Sequence, residues 1–375
     1  MALLMGILVV NAGSSSLKLR VLDDDDAVTG SADLPPPRDA AEVDGVAAAI
    51  AALGPVNAVG HRIVHGGTLF SGPVLIDAAV EEQIRSLTDL APLHQPKSLA
   101  ALDAVSAALP GVPAVACFDT AFHATISPAA STYALPSSWR QRWALRRYGF
   151  HGLSHAYASE RAASLLGVTG GFRVVTCHLG AGASLAAVLD GKSVDTTMGF
   201  TPLEGLVMAT RSGTVDPGLL LWLEEHAGLK SHELAETLES HSGLAGLAGT
   251  GDMREVLERA RSGDDSARLA RDVYLHRLRG SIAAMAAAMN GLDALVFTGG
   301  VGENSAEIRA RTMDGLGFLD VACDPVRNGA GSGDREIGTG TAQVRILVIS
   351  AREDIQIARQ VRLTLKDSAS GGRHG

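Results

Sequence analysis

The sequence predicts an α/β protein built from two copies of one unit, and three observations carry that expectation. Apolar runs of strand length alternate with segments of helical periodicity. A strand–turn–strand pattern occurs twice, 167 residues apart. Glycine-rich segments follow directly on apolar strands, where ligands bind in layered α/β domains.

The first repeat is ILVVNAG at 7–13, followed by small polar residues and then VLD at 21–23. The second is VVTCHLG at 174–180, again followed by small residues and VLD at 188–190. Gly13 matches Gly180 and Asp23 matches Asp190. Residues 58–65, 114–118, 292–298 and 344–350 are further runs of strand length. Residues 265–290 read as one long helix, because Tyr274, Leu278, Ile282, Met285 and Met289 recur at helical spacing and Gly291 supplies a stop. Prolines at 35–37 mark a surface loop, and residues 368–375 read as a frayed tail.

A chain of 375 residues has room for two cores. With only 4% aromatic residues, those cores must be built mainly from Ala, Val, Leu and Ile. The 32 Lys+Arg against 41 Asp+Glu give a net charge of −9, which argues against a nucleic-acid face but leaves room for a small anion held by local cations. Cys117, Cys177 and Cys323 show no C-x-x-C spacing and lie in or beside apolar runs, as buried thiols of a reducing compartment do. Residues 1–10 lack the basic flank and cleavage motif of a signal peptide and read as a first strand. No run reaches membrane-spanning length, so the expected location is cytoplasmic, without membrane partners.

NAGSSSLK at 11–18 offers backbone N–H groups, hydroxyls and Lys18 to a phosphate. It reads equally as an unliganded Ser-rich hairpin, and P-loop spacing is absent. CHLGAGAS at 177–184 is its counterpart in the second half, and GGVGENS at 299–305 is a third glycine-rich turn after a strand. Four short polar runs then carry Arg62, Asp119, His151 and Arg211. Each alone reads as a structural ion pair or a packed imidazole. Two arginines, a histidine and an aspartate beside glycine-rich loops are what phosphoryl transfer needs, because that chemistry stabilises charge on phosphoryl oxygens. The pairs His61/His65 and His151/His155, each four apart, invite a metal-hydrolase reading. Their Gly-flanked strand or turn contexts and the lack of a matching Cys or carboxylate pattern place it behind phosphoryl transfer. His94, His123 and His178 read as packing or supporting residues.

The blocks VVNAGSSSLK, GHRIVHGG, LAPLHQP, FDTAFH, RRYGFHG, MGFTPLEGLVMATRSG, GDMREV, FTGGVGENS and IxxxEDIQIAR extend over residues 8–359. On these blocks the sequence resembles the acetate kinases, of the superfamily that includes sugar kinases, heat-shock ATPases and actin. The resemblance implies two duplicated actin-like ATPase (ribonuclease H-like) domains with an interdomain cleft. Residues 1–123 plus 355–375 would form the carboxylate side and residues 124–354 the nucleotide side. It implies a cytoplasmic homodimer that moves a phosphoryl group reversibly between ATP and acetate, giving ADP and acetyl phosphate for acetate/acetyl-CoA interconversion. Mg²⁺ would assist, with Mn²⁺ as a substitute, at Asn11 and Glu353. Lys18, Ser14 and Ser16 would lie near the phosphates, and Arg62 would hold the carboxylate. Val64, Leu93, Phe150 and Pro202 would enclose the methyl group. Asp119 matches the essential acid, and His151 and Arg211 match the transition-state stabilisers. The nucleotide would sit on His178, Leu179, Gly180, Ala181 and Gly182, on Asp252, Met253 and Arg254, and on Gly300, Val301, Gly302, Glu303 and Asn304. Three departures stand out: Ala181 and Gln95 each replace the family's Asn, and Leu153 replaces its Thr. A propionate or butyrate kinase on the same fold, or a nucleotide-binding regulator without catalysis, are the alternatives.

Overall fold

The computed structural model describes residues 6–13, 16–35 and 43–371. Ser14, two of the three prolines at 35–37 and the last four residues lie outside the described residues. The chain divides into two compact units: residues 1–124, 150–157 and 352–375 in the first, and 125–149 and 158–351 in the second. Segments 150–157 and 352–354 thus group with the first unit, although the sequence boundaries set them in the second domain.

The first unit holds a six-stranded sheet of β1 (Ile7–Ala12), β2 (Leu17–Leu22), β3 (Val28–Leu34), β4 (Ala58–Ile63), β5 (Val74–Leu75) and β6 (Ala114–Phe118) in the order β3-β2-β1-β4-β6-β5. The strands β1, β4 and β6 run parallel, and β2, β3 and β5 are antiparallel to their neighbours. Buried Leu8, Val10, Leu17, Leu19 and Val59 pack with Val46 and Ile50 of helix Val43–Ala52 and with Ala101 and Val105 of helix Gln95–Ala108. Helix Glu353–Gly371 packs against the same sheet so closely that a Cβ at Gly60 would lie 2.4 Å from Ile357. This helix extends to Gly371, through the first half of the segment read as a frayed tail, and its buried Ile357, Ala358 and Val361 anchor it to the sheet.

The second unit repeats the plan. Its strands are β7 (Arg173–Leu179), β8 (Ala183–Leu189), β9 (Lys192–Thr196), β10 (Ala294–Thr298), β11 (Arg335–Glu336) and β12 (Arg345–Val348), in the order β11-β12-β10-β7-β8-β9. Strands β7, β10 and β12 are parallel, with antiparallel β8, β9 and β11, so every strand has a counterpart in the first sheet. The expected duplication is present in the connectivity. The turn at 180–182 is one residue shorter than that at 13–16, and β8 is correspondingly longer than β2, which restores the 167-residue offset at Asp190. The long helix is Asp265–Ala288, with Tyr274, Leu278, Ile282 and Met285 buried as the periodicity predicts. Cys117 and Cys177 are buried free thiols and Cys323 is half-buried; burial pushes all three thiols up, away from the reactive thiolate.

Candidate active site

In the first unit the chemistry collects at the carboxyl ends of the parallel strands. Arg62 is the penultimate residue of β4, and Asp119 follows β6, whose last residues Cys117 and Phe118 pair in register with Arg62 and Ile63. Arg62 Nε and Nη2 donate to the two oxygens of Asp119 at 2.9 and 2.5 Å, a two-pronged clamp on a carboxylate that is 1% exposed. Arg62 Nη1 donates to Oδ1 of Asn11 at 3.0 Å, and Asn11 Nδ2 donates to Glu353 at 2.8 Å. Glu353 also stands 4.0 Å from Arg62 Nε. Burial, the largest influence on Arg62, favours its neutral form, but the charges of Asp119 and Glu353 outweigh it and hold the guanidinium above its ordinary range. Burial likewise pushes Asp119 up, and Arg62 pulls it back. The two-pronged geometry is that of an ionised carboxylate.

Two backbone features fix Asp119 from behind. Gly152 N–H donates to the Asp119 carbonyl at 3.0 Å, and a Cβ at Gly152 would lie 2.2 Å from that oxygen, so only glycine fits. His151 has φ +57°, unfavourable for a residue with a Cβ, and its N–H donates to the Asp119 carboxylate. The sequence placed His151 and His155 in turn or strand contexts. Instead they flank the first turn of helix Gly152–Leu166, with His155 N–H donating to the His151 carbonyl and ring centroids 6.5 Å apart. Phe150 is buried, its carbonyl accepts from His123 Nε2 at 3.0 Å, and its ring meets His65 edge-on. Val64 is buried two residues beyond Arg62. Leu93, expected beside it, is 57% exposed on the loop before helix Gln95–Ala108. Gln95 is fully buried and its amide pairs with both the N–H and the carbonyl of His65 at 3.2 Å, so this departure from the family pattern braces the loop that carries Val64. Lys18 is exposed and pairs in register with Asn11, and the Ser16 carbonyl closes the turn on Gly13 N–H.

The second unit has an open pocket of about 790 Å³. Gly180, Ala181, Asp252, Met253, Arg254, Gly300, Val301 and Asn304 line it, together with Leu244, Leu257 and Tyr274, which sequence reasoning did not assign. His178, Leu179, Gly182, Gly302 and Glu303 do not line it. His178 and Leu179 belong to β7, and the Gly182 carbonyl accepts from Gly180 N–H. The expected third turn is the helix Gly299–Asn304. Gly299 has φ +77° and a Cβ there would sit 2.9 Å from the Leu179 carbonyl oxygen, so the strand end can turn only with glycine. Glu303 accepts the N–H groups of Gly299 and Ala351 at 3.1 and 3.0 Å, tying the ends of two parallel strands together. Arg309 was also missed. It is 1% exposed, and its guanidinium donates to the carbonyls of Gly302, Glu303 and Asn328 and to Asn328 Oδ1, while burial lowers it to about 10. Asp252 caps helix Met253–Arg261 and its pairing with Arg254 draws it down to about 2. Elsewhere in this unit Arg211 pairs with Glu239, and Pro202 is buried.

The acetokinase family model matches residues 41–359. An acetate kinase of Leifsonia xyli is 46% identical, over 94% of this chain and 97% of that protein. Among solved structures, acetate kinase of Porphyromonas gingivalis superposes with a TM-score of 0.88 at 36% identity, covering 96% of this chain and all of that one (100%). A propionate kinase from Francisella tularensis gives the same TM-score, 0.88, and identity, 36%, over 96% and 99% of the two chains. Matched over most of its length by model, relatives and structures with two similar actin-like domains, this chain belongs to the acetokinase family.

Proposed function

We propose that the chain is an acetate kinase that transfers the terminal phosphoryl group of ATP to acetate, reversibly, by direct in-line attack. The observation that carries this reading is Arg62, a half-buried cation held in fixed orientation by Asp119 and Asn11 two residues before the apolar Val64. A small carboxylate with a short apolar tail matches that pairing. The acid is ionised at pH 7, with a pKa of about 4, so no general base is required. One carboxylate oxygen forms the new bond to phosphorus as the bond to the ADP oxygen breaks, and no proton moves. Arg62 holds the carboxylate, Asp119 orients Arg62, and His151 and Arg211 neutralise charge on the phosphoryl oxygens. The pocket lined by Ala181, Asp252 and Gly300 takes the nucleotide.

Among the described residues, no three His, Cys, Asp or Glu side chains converge to hold a metal by themselves. Mg²⁺ does not need such a cluster, since it is bound through one or two protein oxygens with phosphates completing its shell. Glu353 and the Asn11 side-chain carbonyl are hard oxygen donors on two side chains in direct contact, the Asn11 amide nitrogen donating to Glu353 while its carbonyl accepts from Arg62, and this donor chemistry fits. When bound, Mg²⁺ supplies neutralisation of phosphate charge.

Propionate kinase activity is a second reading, favoured by the likeness to the Francisella protein. One methylene is worth only about 1–3 kcal/mol of discrimination, so propionate is expected to be a poorer but real substrate. A hydroxamate assay for acyl phosphate with acetate, propionate and butyrate tests both readings; no product from any acid would leave a nucleotide-binding regulator. Inversion at phosphorus with chiral ATP supports direct transfer, and retention would replace it with a phospho-enzyme. We also place the protein in the cytoplasm as a homodimer. No helix of the described residues is long and apolar enough to cross a membrane. Helix Pro217–Ala227 buries none of its residues and leaves Leu219, Leu221 and Trp222 about half exposed or more, an apolar face suited to a second copy. A monomeric mass by light scattering at micromolar concentration would count against the dimer.

A further inference from the structure

Arg211 lies in a run of small polar residues with no sequence neighbour to orient it. In the structure its Nε stands 2.8 Å from Oε2 of Glu239, with the two side chains 17% and 15% exposed. No motif singles out Glu239, which lies in the last turn of helix Ser231–Ser240. A carboxylate is unfavourable there, because the helix dipole places partial negative charge at that end. Helix stability therefore gives no reason for an acid at this position, whereas the arginine does.

The end of this helix is fastened to the segment that carries Arg211. Thr210 Oγ1 donates to the Glu239 carbonyl at 2.8 Å, Ser212 N–H donates to Leu238 at 3.0 Å, and Ser242 N–H donates to the Thr210 carbonyl at 2.9 Å. Gly243 closes the contact, since a Cβ there would lie 2.6 Å from the Arg211 carbonyl oxygen. From another direction, Arg211 Nη1 donates to the carbonyl of Pro202 at 3.3 Å. With Nε on a carboxylate and Nη1 on a carbonyl, the plane of the guanidinium is fixed.

We propose that Glu239 is the positioning residue for Arg211, presetting the direction in which its N–H groups meet a phosphoryl oxygen. This rests on the reading of Arg211 as a transition-state stabiliser. Charge-assisted pairing preorganises a planar donor set so that it needs no reorganisation during the reaction. A residue that acts only through Arg211 makes no substrate contact of its own, so on this proposal the loss of Glu239 should appear in kcat and not in binding.

The test compares Glu239→Gln, Glu239→Asp and Arg211→Lys in the full-length enzyme, with the folded fraction measured for each. Glu239→Gln is expected to lower kcat about 10–100-fold, the scale seen when the outer partner of a functional group is removed. The KM values for ATP and acetate should stay within about twofold, because uniform binding is untouched. Glu239→Asp, which keeps the charge on a shorter arm, should recover part of the loss. In an Arg211→Lys background the Glu239→Gln change should cost less than about threefold, since a residue acting through Arg211 is not additive with it. An unchanged or raised kcat for Glu239→Gln overturns the proposal, as does a loss explained by unfolded protein or a full additive loss in the double variant. If Arg211→Lys itself leaves kcat unchanged, the reading of Arg211 fails first.

Discussion

Asp119→Asn separates the clamp on Arg62 from the rest of the first unit. The amide keeps the shape of the carboxylate and loses its charge. One oxygen can still accept from Arg62, but the amide nitrogen must face a second guanidinium N–H, donor against donor. The arginine side chain is 15% exposed and the acid 2%, so water repairs little of this. Removing one partner of a buried ion pair costs about 3–5 kcal/mol, because the other charge is left uncompensated. Glu353, 4.0 Å from Arg62 Nε, takes up part of that charge and sets the expectation at the lower end, about 3 kcal/mol. For a unit of this size each kcal/mol lowers Tm by roughly 2–4 °C, so calorimetry should show a fall of roughly 6–12 °C. Below that Tm, acyl phosphate formation should show a raised KM for acetate together with a kcat lower by about 10²–10³-fold, the scale of losing one fixed donor. A Tm within about 2 °C of the unaltered protein, with KM for acetate unchanged, would refute the reasoning.

Three further outcomes follow from the same geometry. Ala181→Asn, which places an amide at the exposed wall of the second unit's pocket, should change KM for ATP more than KM for acetate; steady-state kinetics with both substrates varied decides this. His123 is fully buried, and burial lowers it to about 4 against an ordinary 6.5. The unfolded chain therefore binds the proton first, so the stability it confers is complete above pH 6.5 and lost as pH falls toward 4, by up to about 3 kcal/mol. His123→Gln should flatten that acid limb in pH-dependent denaturation, and an unchanged slope between those limits would exclude it. Glu353→Gln should raise the Mg²⁺ concentration needed for half-maximal rate at fixed ATP, and an unaltered Mg²⁺ dependence would remove Glu353 from the metal site.

The parts legible in the sequence are those written in short-range pattern. Tyr274, Leu278, Ile282 and Met285 give their helix away because burial on one face imposes a helical period. Gly13 and Gly180 mark the duplication because each turn directly follows an apolar strand. What stayed hidden depends on contacts between distant segments. Arg62 and Asp119 were both singled out, but their pairing across 57 positions was not, since neither run encodes the other. Glu239 and Arg309 carry no local signature at all. The segment at 299–305 read as a turn because glycines have no hydrophobic period, yet backbone bonds and the brace from Arg309 make it helical. The brace that Glu303 makes was hidden for the same reason: its motif names the neighbourhood but not that the carboxylate accepts the N–H groups of Gly299 and Ala351.

The matching topologies show one plan ending in two different strand-end devices. Strand β4 of the first sheet corresponds to β10 of the second, and β6 corresponds to β12. At the end of β4 stand Arg62 and Val64; at the end of β10 stands Gly299, with Gly300 and Val301 on the pocket wall. After β6 comes Asp119, whose acid is consumed in holding Arg62. After β12 the backbone N–H of Ala351 is instead taken by Glu303, an acid supplied from the helix beyond β10. Each sheet thus uses one carboxylate to bind the ends of two adjacent parallel strands together. In the first unit that carboxylate fixes a side-chain cation, which suits recognition of a small anion. In the second it fixes backbone and leaves a glycine-lined surface open, which suits a long polyphosphate that is gripped by N–H groups. Exchanging the two devices makes the distinction testable: Glu303→Gln should weaken ADP binding measured by calorimetry and leave KM for acetate unaltered. If KM for acetate rose as much as the ADP dissociation constant, the division of labour between the two strand ends would be wrong.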